Sequence, residues 1–354
     1  MLTKEENARL TLVDAGTPMG ELMRRYWHPI AAVSQLDENP TKAVKLLGES
    51  LTLYKDRSGN LGLIGDRCPH RNVNLLYGIP EQEGLRCPYH GWLFNHKGQC
   101  IEQPYEQAED PNSNFKDKIH IKSYPVQQAG GLIFAYLGPQ PAPELPRWDL
   151  LVWDNVYRDI GFCVVPCNWL QIMENSVDPV HAEWLHGVFA NYVWERLGQP
   201  ERAKRIPPHK KIGFDIYEYG ILKRRVLEGD TEENPNWKNG HPLVFPHLLK
   251  VGGFQWRIPI DDEHTLHIWH HAYQPPPGVP GQGGPRRGTH ERVPRLEAAR
   301  YVKLQTEESR GMRRRKTTLR QISSAGAGGG ATKVSPVPVR GSATPVTAED
   351  GLQR

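Results

Sequence analysis

Cysteine is scarce: five among 354 residues, too few for the dense framework of a small disulfide-stapled secreted domain. Long apolar runs are missing as well. GGLIFAYLG (130–138) is the longest and falls far short of the roughly 20 residues a helix needs to span a bilayer. The opening MLTKEENARLTLVDAG places no apolar segment behind a basic start, so it does not read as a signal peptide. No Gly-rich dinucleotide loop sits between a strand and a helix; GAGGG (326–330) stands in low-complexity sequence. These absences predict a protein of a reducing compartment, the cytoplasm, with no membrane partner.

Aromatics thin out toward one end. Only Tyr301 of the chain's 31 aromatic residues falls in the last 80 positions. That stretch is rich in Pro, Gly, Ser and Arg, and its fifteen Lys/Arg against six Asp/Glu leave −5 for residues 1–274 out of a total of +4. The basic character is therefore confined to the tail, where no nucleic-acid recognition motif accompanies it, and RRRK (313–316) reads as a solvated run. A segment of this composition cannot bury enough apolar surface to offset chain entropy, so residues 275–354 are predicted mostly disordered, with a short helix around 293–308. The rest, in a chain 38% hydrophobic and 24% charged, has material for about two domains.

The chain divides by pattern. Residues 1–42 read as a helical segment in which Leu22, Met23, Tyr26 and Trp27 lie at helical spacing. Residues 43–138 alternate in short runs punctuated by Gly, Pro, Asn and Asp, which predicts a small antiparallel β domain. The Pro-rich stretch 139–149 is a linker. Residues 150–274 read as α+β: the strand VYRDIGFCVV, the helical CNWLQIMENSVDPVHAEWLHGVFANYVWERLG, then further strands. There is no internal repeat.

Two cysteines and two histidines stand in the β domain as Cys68-x-His70 and, after sixteen residues, Cys87-x-x-His90. Zinc sites usually group Cys with Cys and His with His along the chain. Here each loop supplies one of each, which suits a Rieske [2Fe–2S] cluster: Cys68 and Cys87 on one iron, His70 and His90 on the other. Neutral imidazoles in place of two thiolates leave the cluster less negative and raise its reduction potential. Pro69 and Pro88 stiffen the loops, Gly91 lets backbone come close, and Trp92 and Tyr89 are expected to shield the site. A structural zinc knuckle on the same four residues is the alternative.

MENSVDPVHAEWLHG (173–187) carries a second cluster. Residues five apart on a straight α-helix point about 140° away from each other, so His181 and His186 share a ligand only if the helix is interrupted, and Pro179 is the expected cause. On their own the two histidines could equally be a structural pair. Glu174 and Glu183 read as solvated or supporting groups. His264, His267, His270 and His271 lie on a strand, alternate faces and do not converge.

CPHRN…RCPYHGWLFNHKGQC resembles the Rieske domain of Rieske non-haem iron aromatic-ring-hydroxylating oxygenases, and LTKEENARLTLVDAGTPMGELMRRYWHPI resembles the phthalate dioxygenase-like branch. Asn72 stands where that family usually has Gly, and Asn tolerates a left-handed backbone better than most residues. The pattern Asn175-x-x-Asp178-Pro-x-His181-x4-His186 resembles the family's mononuclear iron motif. The resemblance implies an α+β fold in which an all-β Rieske domain precedes a helix-grip catalytic domain with an antiparallel sheet, incomplete at its C-terminal end. It implies His181 and His186 as Fe(II) ligands, Asp178 as a carboxylate bridging to a Rieske histidine of a neighbouring subunit, and Asn175 near the iron. It further implies a homotrimer, a separate NAD(P)H-dependent reductase, and O2-dependent hydroxylation or demethylation of an aromatic acid or aryl ether.

The resemblance covers about residues 1–274. The family's third iron ligand, an Asp in a hydrophobic C-terminal helix, is not identified. Glu307 and Glu308 lie in a stretch without an apolar face, and Asp350 is the only Asp in the last 80 residues. An electron carrier with a cluster but no working iron site is the alternative function. Arg224, Arg225, Arg257 and His241 could each meet a substrate carboxylate, and the sequence does not rank them.

Overall fold

The computed structural model describes residues 2–275. Thr3 caps a helix, Lys4–Thr11, through a capping box with Glu6, and Thr17 caps a second, Pro18–Met23, that opens on proline. The helical spacing noted through Trp27 does not continue: Trp27–Ala32 is a strand, paired antiparallel with Leu132–Tyr136. Pro29, which has no N–H and collides with a preceding helical turn, accounts for the switch.

Strand 132–136 also pairs with Val126–Ala129. A second antiparallel sheet runs Thr41–Leu46, Glu49–Lys55, Leu61–Gly65, Ser123–Tyr124. A third is made of the short strands Ile79–Pro80, Leu85–Arg86, Leu93–Phe94 and Cys100–Glu102. Cys68 and Cys87 sit in a small core of their own with Tyr54, Ile64, Leu75, Leu85, Trp92 and Phe94.

A seven-stranded antiparallel sheet follows, in the spatial order 157–165, 265–273, 253–259, 248–251, 241–244, 220–227, 209–217. Its side chains divide by the two-residue period of a strand. Phe254, Trp256 and Ile258 are buried in the main core, where Trp256 meets Phe134 edge-on at 6.1 Å between ring centres. Each such side chain contributes about 1.5–3 kcal/mol by leaving water. The alternate residues Gln255 and Arg257 face the other way, into a cavity. Helix Trp169–Val177 packs by that strand, capped by Asn168, whose Nδ2 also donates to the carbonyls of Thr11 and Asp262. At the 209–217 end of the sheet, Ile212, Phe214 and Ile216 share one face and are exposed. Among the described residues no helix is long and apolar enough to cross a membrane.

Candidate metal centres

The two Cys/His loops are the same turn built twice. In the first, the N–H of Asn72 donates to the carbonyl of Cys68 and the N–H of Cys68 to that of Val73. In the second, Gly91 N–H donates to Cys87 and Cys87 N–H to Trp92. Both turns need a left-handed residue at the fifth position, supplied by Asn72 at φ 60° and Gly91 at φ 75°. Asn therefore does in the first loop what Gly does in the second. A methyl group on Gly91 would meet Pro104 Cγ at 3.1 Å. Arg86 ties this loop down, donating to the Gly91 carbonyl at 2.7 Å and pairing with Glu81 and Glu102 at 2.9 and 2.7 Å.

The turns bring like ligands together. The Cys68 and Cys87 thiols are buried as neighbours, and the imidazole ring centres of His70 and His90 lie 4.5 Å apart. Burial pushes the Cys68 thiol up, while the N–H groups of His70 and Arg71, donating to its sulfur, pull it the other way. As thiolates the two would repel each other in this apolar core unless cations offset their charge. Nδ1 of His70 is buried without any hydrogen-bond partner, a nitrogen whose lone pair is left for a metal. Paired thiols beside paired imidazoles, with one imidazole nitrogen unsatisfied, fit a [2Fe–2S] centre, which takes two protein ligands per iron. Among the described residues no three His, Cys, Asp or Glu side chains close on a single ion.

Trp92 shields this site as expected, buried and stacked on His70 with ring centres 4.6 Å apart. Tyr89 does not: it packs on His90 but is 63% exposed. Position 89 precedes the imidazole in a turn that projects outward, and His90 itself is exposed.

In the second cluster, helix Trp169–Val177 stops at Asp178, whose backbone is extended, as a residue before proline prefers. Asp178 then braces the turn that leads into the next helix, His181–Glu183. Its carboxylate accepts the N–H groups of Val180 and His181 at 2.8 and 3.0 Å and the Nδ1 of His181 at 3.1 Å. Burial opposes its ionisation, but these three donors outweigh that and hold it below the usual carboxylate range. With Nδ1 donating to Asp178, the lone pair of His181 is on Nε2.

The interruption needed between His181 and His186 is present, but Pro179 is not its direct cause. Residues Trp184–Phe189 form a π-helical segment inside the helix. Bonding across five residues widens the turn and brings positions five apart to one side, so the two imidazoles face each other edge-on, 5.2 Å between centres. Glu183, expected to be solvated or merely supporting, has a defined role. Its carboxylate accepts both the N–H and the Nδ1 of His209, at 2.9 and 3.0 Å, and so ties this helix to the 209–217 strand.

Asn175, Asp178, His181 and His186 line one wall of a cavity of about 240 Å³. Lys223, Arg225, His241 and Arg257 from the sheet line the other. Strand parity separates Arg224, which turns away to Asp215 at 2.5 Å, from Arg225. Lys223 had no local signal in the sequence; only sheet register brings it under the helix, where it donates to the Ser176 carbonyl at 2.7 Å. His267 and His270 fall on opposite faces of their strand: His270 is hydrogen-bonded to the Gly130 carbonyl, and His267 lies next to Arg257. Among the described residues Asp178 is the only carboxylate on the cavity wall, and Glu307, Glu308 and Asp350 lie outside them. The two imidazoles suit a divalent iron.

The chain is similar to known proteins in sequence and in fold. Residues 26–125 match the family model described as "Rieske [2Fe-2S] domain". The chain is 48% identical over 269 residues to the oxygenase subunit of 5,5'-dehydrodivanillate O-demethylase from Sphingobium sp., covering 76% of this chain and 62% of that protein. It is 34% identical to the oxygenase subunit of phthalate 4,5-dioxygenase from Pseudomonas putida, covering 75% of this chain and 63% of that one. It thus spans about three-fifths of the length of these relatives. Its fold is similar to the terminal oxygenase of carbazole 1,9a-dioxygenase from Novosphingobium sp. KA1, with TM-score 0.52 and 21% identity over 82% of this chain and 79% of that one.

Proposed function

Since this chain carries a Rieske [2Fe–2S] domain and is homologous to the oxygenase subunits of Rieske non-haem iron systems, we propose that it is the oxygenase component of such a system. It acts on an aromatic acid or aryl ether, by hydroxylation or demethylation, with electrons from a separate NAD(P)H-dependent reductase. We place it in the cytoplasm as a homotrimer.

When bound, the cluster stores an electron and the mononuclear iron activates O2. Cys68, Cys87, His70 and His90 would hold the first, and His181 and His186 the second. Asp178 is a positioning residue: it fixes the His181 tautomer, and its side chain stays 44% exposed. A histidine of a neighbouring subunit can reach it there, and His90 is exposed as that role requires. Asn175 and the cationic sheet residues shape the substrate cavity. The observation that carries this reading is the pairing of His181 with His186 across the π-helical segment, over a cavity, in a chain that also pairs His70 with His90.

Iron and acid-labile sulfide per chain, on protein purified without oxygen, test it. A third iron beyond the two irons and two sulfides of the cluster supports the oxygenase. Two of each supports a second reading, an electron carrier, which is favoured by the cavity wall's having, among the described residues, one carboxylate that is already engaged. Zinc without sulfide removes both. Asp178→Asn should leave the cluster spectrum intact and abolish reductase-driven turnover; unchanged turnover removes Asp178 from this role.

A further inference from the structure

Among the described residues, one end of the seven-stranded sheet is an open edge. Strand His209–Tyr217, 9 residues long, pairs with the 220–227 strand on one side and with no strand on the other. Edge strands are usually kept short, bulged or guarded by charge, because their unpaired backbone is a template for another chain. This one bulges only at its start, between His209 and Lys211, and beyond that Ile212, Phe214 and Ile216 are 43%, 50% and 91% exposed. The turn at 218–219 sets the direction of its backbone groups. A two-residue hairpin turn makes Tyr217 and Gly220 a hydrogen-bonded pair, so by alternation Asp215 and Gly213 also bond inward, and the N–H and C=O groups of Ile212, Phe214 and Ile216 point outward. The side chains of the same three residues share one face.

The strand is complementary to itself when reversed. Laid antiparallel against a second copy about Gly213, Ile212 falls opposite Phe214 of the second copy and Phe214 opposite its Ile212; Ile216 falls opposite Lys210, whose aliphatic stem can lie along apolar surface. Apolar meets apolar on this face, in the register that also pairs the outward backbone groups. On the other face Lys211 falls opposite Asp215, and Asp215 opposite Lys211. Both are exposed, and each already holds an opposite charge of its own chain: Lys211 pairs with Glu232 at 2.6 Å and Asp215 with Arg224 at 2.5 Å. Pairing the strands therefore completes a row of alternating sign across the two copies: Glu232 and Lys211 of one, then Asp215 and Arg224 of the other, and its symmetric twin. The opposite edge of the sheet is not built this way. Tyr157–Val165 is also centred on a glycine, Gly161, but reversal sets Asp159 against Cys163 and Arg158 against Val164, and its Ile160 and Phe162 pack on the main core.

We propose that strand 209–217 is an interaction surface for a second copy of this chain: two copies pair antiparallel about Gly213 and join their sheets into one. The contact is isologous, each copy giving the same strand. It is separate from the homotrimer contact and doubles the assembly on which it acts.

Charge exchange tests this on the full chain, by sedimentation over a dilution series. The parent should sediment with an even number of chains. Lys211→Asp makes the edge acidic and Asp215→Lys makes it basic. Each variant alone sets like charges opposite each other at both symmetric places, so its self-association should weaken at least about 10-fold and its mass should fall to half the parent's. Mixed in equal amounts, the two variants restore both opposite-charge pairs and should return to the parent's mass. Hydrogen exchange gives a second readout: the amides of Ile212, Phe214 and Ile216 should be protected in the parent and lose that protection on dilution, while strand 253–259, inside the sheet, stays unchanged. If either charge variant does not fold, Ile216→Glu, at a side chain 91% exposed, carries the test with the same expected halving of mass. An odd number of chains in the parent, unaltered mass in the variants, or a mixture that does not recover would overturn the pairing. So would protection of 212–216 that persists at every dilution and in every variant, which would assign the cover of this edge to the same chain.

Discussion

If the two cluster loops are one turn built twice, their left-handed positions should govern cluster assembly, and Gly91→Ala measures this. Gly91 has φ 75°, and a Cβ there would lie 3.1 Å from Pro104 Cγ, part of a ring that cannot rotate aside. The left-handed conformation costs a non-glycine residue about 1–2 kcal/mol. Forcing a methyl group into an occupied space adds about 1–2 kcal/mol more. Gly59 is the control: at φ 90° it has nothing within 4 Å of the built Cβ, so Gly59→Ala costs the conformational part alone. At about 2–4 °C per kcal/mol for a domain of this size, Gly91→Ala should melt roughly 4–16 °C below the parent and Gly59→Ala about half as far. The Gly91 variant should also lose labile sulfide, because its carbonyl is held by Arg86 and its N–H closes the turn on Cys87. Differential scanning calorimetry and sulfide analysis decide it. A Gly91 variant that melts with the Gly59 variant and keeps its sulfide would refute the tight-turn argument.

The buried histidines set an acid limit. Burial pushes His28 and His270 down to about 4 and His247 further, and His28 and His247 meet at 2.9 Å. Each is neutral when folded but takes a proton below about 6.5 when unfolded, so stability falls as pH drops from 6.5 toward 4, by up to about 1.4 kcal/mol per pH unit per histidine; urea midpoints at pH 7.5, 6 and 5 should decline accordingly, and a flat profile would contradict the burial. Glu183→Gln should raise hydrogen exchange at residues 184–190 roughly 5- to 10-fold while leaving 61–65 unchanged, since a charge-assisted tether to His209 becomes a neutral one. Equal exchange in both proteins would show that the tether does not hold the π-helical segment.

Local chemistry made much of this legible, and long-range register hid the rest. Cys68, His70, Cys87 and His90 were readable because each pair lies within four residues of its own turn, and Asn72 because few residues accept its φ. The angle between His181 and His186 demanded a break in the helix. Its form was hidden, because a π-helical segment has no breaker residue of its own, and the proline next to it drew the attribution. Trp27 fits helical spacing and strand alternation equally well; Pro29 was the deciding signal. Lys223 could not be found, because it reaches Ser176, 47 positions away, only through the pairing of four strands. The ranking of Arg225 over Arg224 is a matter of parity, which needs the register against Ile212 and Gly213.

The charge on the cavity wall couples metal to substrate. Around the imidazoles of His181 and His186 stand Lys223, Arg225 and Arg257, with Asp178 as the only carboxylate among the described residues. A divalent ion placed on the imidazoles meets net repulsion from these cations, and in a partly buried site that repulsion is poorly screened. An anion drawn into the same cavity cancels part of it. Fe(II) and an anionic aromatic should therefore raise each other's affinity, and by linkage the two factors are equal, in the range of about 5- to 150-fold typical of such couplings. Fe(II) titrations without oxygen, with phthalate or phthalamide present, give one factor; phthalate titrations with and without Fe(II) give the other. Matching factors for phthalate and none for phthalamide are the expected outcome. If Fe(II) affinity is indifferent to phthalate, or falls, the imidazole pair and the three cations do not share one electrostatic environment.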